Sequence, residues 1–270
     1  MAIRLLLILL TGLLLGSPAT AGPAPDTVFL EELTWTELRD LVAAGKTTIL
    51  VPIGGTEQNG PDMALGKHNM RAHLLAETIA RTLGNALVAP VIAYVPEGGV
   101  SPPTAHMRFP GTITVPDDVF EKTLEYAARS FRLHGFTDIV FLGDHGGYQA
   151  DEVVVADRLD REWAKTGVRA HAIEAYYRAT ETDYVQALEA RGHDRAEIGT
   201  HAGLADTSLT LALAPGLVRL DRLRTGPRRG VEDGVHGDPR GSSAELGRLG
   251  VDAVVARAVA AIRKAVERSP

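Results

Sequence analysis

The sequence predicts an α/β domain in which helices cover both faces of a mainly parallel central sheet. Short apolar runs, at 47–53 and 138–142, read as strands buried on both sides. They alternate with longer segments of helical period, the order that builds parallel sheets. Two of the runs also stop in glycine-rich loops carrying acids and histidines, at 54–68 and 143–149. Ligands of parallel sheets bind beyond the carboxyl ends of the strands, so these two loops are expected to converge.

The first 21 residues stand apart. Arg4 precedes an apolar run over 5–15, and Ala19-Thr20-Ala21 forms a small-x-small cleavage site. The run is short for a membrane span. The expectation is a cleaved signal peptide over 1–21, with a retained anchor as the alternative. The mature chain, 22–270, is then a single domain, periplasmic or secreted, with no stable membrane span. No arginine pair precedes the run, which favours general secretion.

Thr34 is placed to cap a helix over 33–44, and a strand follows over 47–53. A helix over 69–83 sets Leu74, Leu75, Ile79 and Leu83 at helical spacing, and a strand over 86–93 is broken by Pro90. Residues 95–116 form a long loop with five prolines and three glycines. Such loops are functional or disordered, and Glu97, His106, Arg108 and Phe109-Pro110-Gly111-Thr112 favour an ordered border to a site. Asp117 or Asp118 caps a helix to about residue 134, before a strand over 138–142, a helix over 150–165 and a strand over 168–173. A helix over 176–190 and another through Leu209, Leu211 and Leu213 come next. Residues 219–241 read as irregular, and Ser242 or Ser243 caps a final helix to about residue 268. Trp35 and Trp163 lie on helical patterns and read as core.

Composition narrows the function. Hydrophobic residues make up 45% and charged ones 23%, as in ordinary globular chains. The net charge of −6 is well mixed along the sequence and gives no basic patch for nucleic acid. There is no cysteine. Disulfides are excluded, and any metal must be held by His, Asp and Glu.

Three clusters carry that residue chemistry: Glu57, Asn59, Asp62 and His68; Asp144 and His145; His201 and Asp206. A divalent transition metal takes imidazole and carboxylate from several directions and leaves a position open for water. Solvated or turn-forming polar residues are the alternative for each cluster. Tyr94, Glu97, His106, Arg108, Tyr148 and Gln149 are candidates to line a pocket, with Arg108 suited to a substrate carboxylate or an acidic neighbour.

The stretch Pro52-Ile53-Gly54-Gly55-Thr56-Glu57-Gln58-Asn59-Gly60-Pro61, with His68 downstream, resembles a signature of the creatininase (creatinine amidohydrolase) family. So does Phe109-Pro110-Gly111-Thr112. Gly143-Asp144-His145-Gly146-Gly147 is similar to the family's Asn-Gly-His-Gly-Gly element. His201-Ala202-Gly203 with Asp206-Thr207-Ser208 is similar to its His-Ala-Gly-x-x-Glu-Thr-Ser element, and Gly241-Ser242-Ser243-Ala244-Glu245 resembles its last stretch. The five stretches keep the family's order.

The resemblance implies a three-layer α/β/α fold and a metal-dependent hydrolase of C–N amide bonds in small molecules, cyclic amides among them. It also implies a homo-oligomer, commonly a hexamer, and commonly two metals. The family's first element supplies a Glu, a His two residues on, and a metal-bridging Asp eleven after the Glu. Here Glu57 is kept, but Asn59 replaces the His and His68 replaces the Asp. Asp206 stands for the later Glu. Asn is a poor zinc ligand, and neutral imidazole seldom bridges two ions. The expectation is therefore one ion, zinc or alternatively manganese, held by Glu57, His68, His145 and Asp206 with a metal-activated water. A second ion would need Asp62 or Asp144. The resemblance assigns acid/base work to His201 beside Glu57. Asn59, Arg108, Tyr148, Gln149 and His106 are expected to bind substrate. Asp144 either orients His145 or caps a turn. The alternatives are a metal-free or catalytically altered binding protein, and a lactone or peptide hydrolase of the same fold.

Overall fold

Every residue of strand β1 (Thr48–Ile53) is buried. In this computed structural model, which describes residues 25–267, β1 pairs in parallel with β2 (Ala86–Val88) on one side and β3 (Asp138–Gly143) on the other. β3 pairs in parallel with β4 (Arg169–Ala172), giving the order β2-β1-β3-β4. The expected leader over 1–21 lies outside the described residues.

Helices α1 (Trp35–Ala43), α2 (Lys67–Leu83), α3 (Asp117–Leu133) and α4 (Gln149–Trp163) alternate with the strands. After β4 come α5 (Glu174–Glu181), α6 (Asp183–Glu189), α7 (Arg195–Ile198), α8 (Leu204–Leu213), α9 (Leu220–Thr225) and the long α10 (Ala244–Val266). Strand residues alternate between faces. Leu50, Val140 and Leu142 pack with Leu75 and Ile79 of α2, Tyr176 of α5 and Val254 and Ile262 of α10. Ile49, Val51, Ile53, Ile139 and Phe141 pack with Phe120 of α3, Leu159 of α4 and the partly buried Leu38 of α1. The result is the expected three-layer α/β/α architecture.

Several expectations shift in detail. Thr34 caps α1 through a capping box with Glu37. Trp35, expected in the core, is instead 74% exposed at the start of that helix, with the Arg39 guanidinium over its ring. Trp163 is fully buried. β2 ends at Val88, because Pro90 cannot donate to the ladder. The expected helix over 176–190 breaks at Thr182, where ψ is −83°. Residues 219–241 include the short α9. No helix among the described residues is long and apolar enough to cross a membrane.

Helix α2 carries the sheet's chemistry. Its buried residues recur in pairs every fourth residue: Lys67 and His68, Arg71 and Ala72, Leu75 and Ala76, Ile79 and Ala80. The carboxyl half of this face is apolar and joins the core. The amino half is charged and sits at the carboxyl ends of the strands.

Candidate active site

The ends of β1 and β3 are tied together before any site residue is placed. The Tyr148 hydroxyl donates to the Gly54 carbonyl at 2.6 Å and accepts from the His145 N–H at 3.1 Å. Thr112 joins the third loop: its hydroxyl accepts from the Gln58 N–H at 3.1 Å and donates to the His106 carbonyl at 2.9 Å. Gly55 has φ +144°, and a Cβ there would lie 2.5 Å from Glu97 Oε1. Glycine is what lets Glu97 approach the end of β1. Ala105 and Ala202, next to His106 and His201, both take left-handed φ, 45° and 51°. Such backbone is strained for residues with a Cβ and collects at functional sites.

Glu57 is fully buried at the centre. Its Oε1 is 2.8 Å from His68 Nε2, 3.4 Å from Lys67 Nζ and 3.7 Å from His201 Nδ1. Its Oε2 is 3.1 Å from His106 Nε2 and 3.6 Å from His145 Nε2. His145 Nε2 is also 3.9 Å from Glu97 Oε2. One donor-type atom from each of Glu57, Glu97, His106 and His145 falls within 4.8 Å of all the others. The two imidazoles line a cavity of about 490 Å³, together with Lys67, His68, Arg71, Tyr177, Tyr184, Ile198, His201 and Asp206.

Charge is distributed unevenly. Burial opposes ionisation of Glu57, yet Lys67 and His68 hold it well below the usual carboxylate range. Burial and the Glu57 charge push Glu97 up to about 8. Burial pushes His145 down to about 4, and burial with the Lys67 charge pushes His201 down to about 3. Burial also lowers His106. At His68 burial and Lys67 press downward, but Glu57 and Asp144 outweigh them and raise it.

A divalent cation fits this centre. Glu57 Oε2 and both Glu97 oxygens are buried without a well-directed hydrogen bond among the described residues. Buried carboxylates left so are unfavourable unless a cation or a proton joins them. His106 and His145 turn Nε2 toward them. Gly147 N–H lies 3.1 Å from His145 Nδ1, and the Gln58 amide nitrogen lies 3.2 Å from His106 Nδ1. Holding an ion at Nε2 would require each ring to carry its proton on Nδ1, at the expense of these contacts.

The four residues expected as ligands, Glu57, His68, His145 and Asp206, are placed in two ways. Glu57 and His145 do converge. His68 does not offer a free lone pair: its Nε2 faces Glu57 at 2.8 Å and its Nδ1 faces Asp144 at 2.6 Å. Asp206 spends Oδ1 on Arg71 at 2.6 Å, and Oδ2 on Lys67 at 2.6 Å and the Ala202 N–H at 2.9 Å. Glu97 and His106, not His68 and Asp206, bring potential donor atoms within 4.8 Å of those of Glu57 and His145.

The residues expected to bind substrate divide similarly. His106 lines the cavity. Asn59 is buried and donates to the Glu57 and Ala64 carbonyls, holding the loop from within. Tyr148 is the fully buried clamp described above, and Gln149 donates to the Gly143 and His145 carbonyls. Arg108 is exposed and donates to the Ala105 carbonyl. Asp62 pairs with Arg222 and Arg229, away from the centre. His201 lines the cavity as expected. Glu97 as a candidate ligand was missed, and so were Lys67 and Arg71 as cations of the cavity. Their signal was the i, i+4 placement of two bases at the start of α2, where the helix dipole disfavours them.

Fold and site together define a metal-binding α/β/α enzyme. The family model for creatininase, described as creatinine amidohydrolase, matches residues 31–262, and the chain belongs to this family. The creatinine amidohydrolase of Pseudomonas putida is 28% identical over 208 residues, covering 73% of this chain and 76% of that protein. The mycofactocin precursor peptide peptidase of Mycobacterium tuberculosis (strain CDC 1551 / Oshkosh) is 28% identical over 231 residues, covering 74% and 78%. Among solved structures, a mutant creatininase described as the Zn–Zn type aligns with TM-score 0.73 at 27% identity, covering 90% of this chain and all 100% of that one. A manganese creatininase aligns with TM-score 0.72 at 27% identity and the same coverage. The chain is a creatininase-family amidohydrolase.

Proposed function

We propose that the chain hydrolyses a C–N amide bond of a small molecule, with one divalent ion held by Glu57, Glu97, His106 and His145. The observation that carries this reading is the set of buried carboxylate oxygens without a well-directed hydrogen bond, beside two imidazoles that open on a cavity. Zinc is the ion proposed and manganese the alternative, in keeping with the zinc and manganese forms of the relatives. Such an ion, when bound, polarises a carbonyl as a Lewis acid and lowers the pKa of water toward about 7.

The chain's own residues do the rest. Lys67 and His68 keep Glu57 ionised. His201 Nε2 lies 2.9 Å from the Gln58 carbonyl and 3.1 Å from the Gln58 side-chain nitrogen, and its Nδ1 lies 3.7 Å from Glu57 Oε1. His201 is neutral there and takes or returns a proton during turnover. Tyr177, Tyr184, Val185, Ile198 and Leu209 give the cavity an apolar wall, while Thr180 and Thr200 add hydroxyls. That lining suits a compact amide with one apolar face, such as a lactam or hydantoin-like ring.

The test is zinc-replete full-length protein assayed against lactams, hydantoin-like rings, small peptides and lactones, with bound metal measured. Activity on an amide that is lost in Glu57→Gln and His145→Ala supports the reading. Absence of stoichiometric metal, or activity untouched by both substitutions, ends it. Export by cleavage after Ala21, and assembly as a homo-oligomer of hexamer size, remain proposals from the sequence. The intact mass of periplasmic protein checks the first, and light scattering the second.

A further inference from the structure

We propose that Lys67 is a built-in cation that takes the place of a second metal ion and limits this site to one. The proposal rests on the reading that Glu57, Glu97, His106 and His145 hold a divalent ion.

Glu57 has two faces. Its Oε2 is turned to His106 and His145, the side of the four-residue cluster. Its Oε1 is turned to His68 Nε2 at 2.8 Å and, as the cation on that side, to Lys67 Nζ at 3.4 Å. A carboxylate that serves a cation on each side is how two-metal sites share a ligand. Here the second cation is an ammonium. Lys67 is only 1% exposed, and its Nζ also lies 2.6 Å from Asp206 Oδ2. Asp206 is completed by Arg71 Nη1 at 2.6 Å. The two carboxylates that flank Lys67 thus form an anionic seat, already filled by the chain itself.

Local structure supports a dedicated role. Lys67 is the first residue of α2, where the helix dipole disfavours a cation. Burying an ammonium adds a further penalty, which only paired carboxylates offset. A lysine that breaks both rules must be held by something specific, and Glu57 and Asp206 are what hold it.

Charge balance points the same way. The carboxylates Glu57, Glu97, Asp144 and Asp206 face the fixed cations Lys67 and Arg71. One divalent ion neutralises the excess, and a second would leave the centre strongly positive. The relative of Zn–Zn type shows that the fold itself admits two ions.

The experiment measures zinc per chain by mass spectrometry in full-length protein dialysed after zinc loading. Wild type, Lys67→Arg, Lys67→Ala and Lys67→Asp are compared, with circular dichroism verifying that each is folded. Wild type and Lys67→Arg should hold about one zinc, and Lys67→Ala should rise toward about two. Lys67→Asp adds a ligand where it removes a cation, carries the same expectation, and decides the matter if Lys67→Ala does not fold. A purely structural lysine would leave the count unchanged, and an unchanged count in the folded variants overturns the proposal. So does wild-type protein with two zincs. Wild-type protein with none overturns the metal reading itself, a distinct result.

Discussion

His68 Nδ1 lies 2.6 Å from Asp144 Oδ2, and both side chains are almost fully buried. Asp144 is thus the partner of His68, while His145 turns to Glu57 and Glu97. The same carboxylate accepts from Tyr176 at 3.0 Å, with Arg71 Nε at 3.2 Å. Asp144→Asn would keep the shape and remove the charge that faces the His68 imidazole and the Arg71 guanidinium in the interior. Breaking such a buried pair costs about 3–5 kcal/mol. Urea denaturation of the purified variant should show a loss of that order. A loss below about 1 kcal/mol would mean that Asp144 is only a turn former.

Asn59 yields a prediction about the missing first-element histidine. Its Nδ2 donates to the carbonyls of Glu57 and Ala64, so this side chain supports the loop and lies outside the four-residue cluster. Asn59→Ala should destabilise by about 1–3 kcal/mol through the two buried carbonyls left without a donor. Asn59→His should not raise the zinc content, because Lys67 still fills the far side of Glu57. Zinc content that rises in Asn59→His alone would refute this account of the position.

The fold was legible because its signals are local. Apolar strands such as 48–53, helical periods and the Thr34 cap all act within a few residues. Glu57, His145 and His201 were legible through the stretches around them. The convergence of Glu97 and His106 on Glu57 and His145 was not, because nothing local distinguishes them from pocket lining. Only the strand ends and the bare approach at Gly55 bring Glu97 to Glu57. His68 and Asp206 misled for the opposite reason. They occupy ligand positions in the sequence, but Lys67, Arg71 and Asp144 reach them first in space. Long-range pairing of charges leaves no periodic trace in a sequence.

Away from the site, Arg129 ties α3 to α4. Its Nη1 and Nη2 each lie 2.6 Å from a Glu162 oxygen. The Arg129 hydrogen bond, against slight burial, pulls Glu162 down to about 2, below the ordinary glutamate value of 4.5. The folded state therefore binds its proton less readily than the unfolded state. The contribution is present above pH 4.5 and is lost as pH falls toward 2. Arg129→Ala should flatten the fall in stability across that window while changing the slope above it little. Urea midpoints measured at several pH values check this, and parallel profiles for variant and wild type would refute it.

Ion removal provides the last prediction, and its sign can be worked out. A ligand that binds only the folded state adds about 2.7 kcal/mol at 100 times its Kd. Zinc should therefore raise the melting temperature of wild-type protein, and a chelator should reverse the rise. Glu97→Gln removes one ligand charge and also relieves the crowding of two buried carboxylates, the cause that pushes Glu97 up to about 8. In chelator, then, Glu97→Gln should melt at or above wild type. In zinc its stabilisation should be clearly smaller. The opposite ordering, or an equal zinc-induced shift, would remove Glu97 from the ion site and leave only Glu57, His106 and His145 to hold the ion.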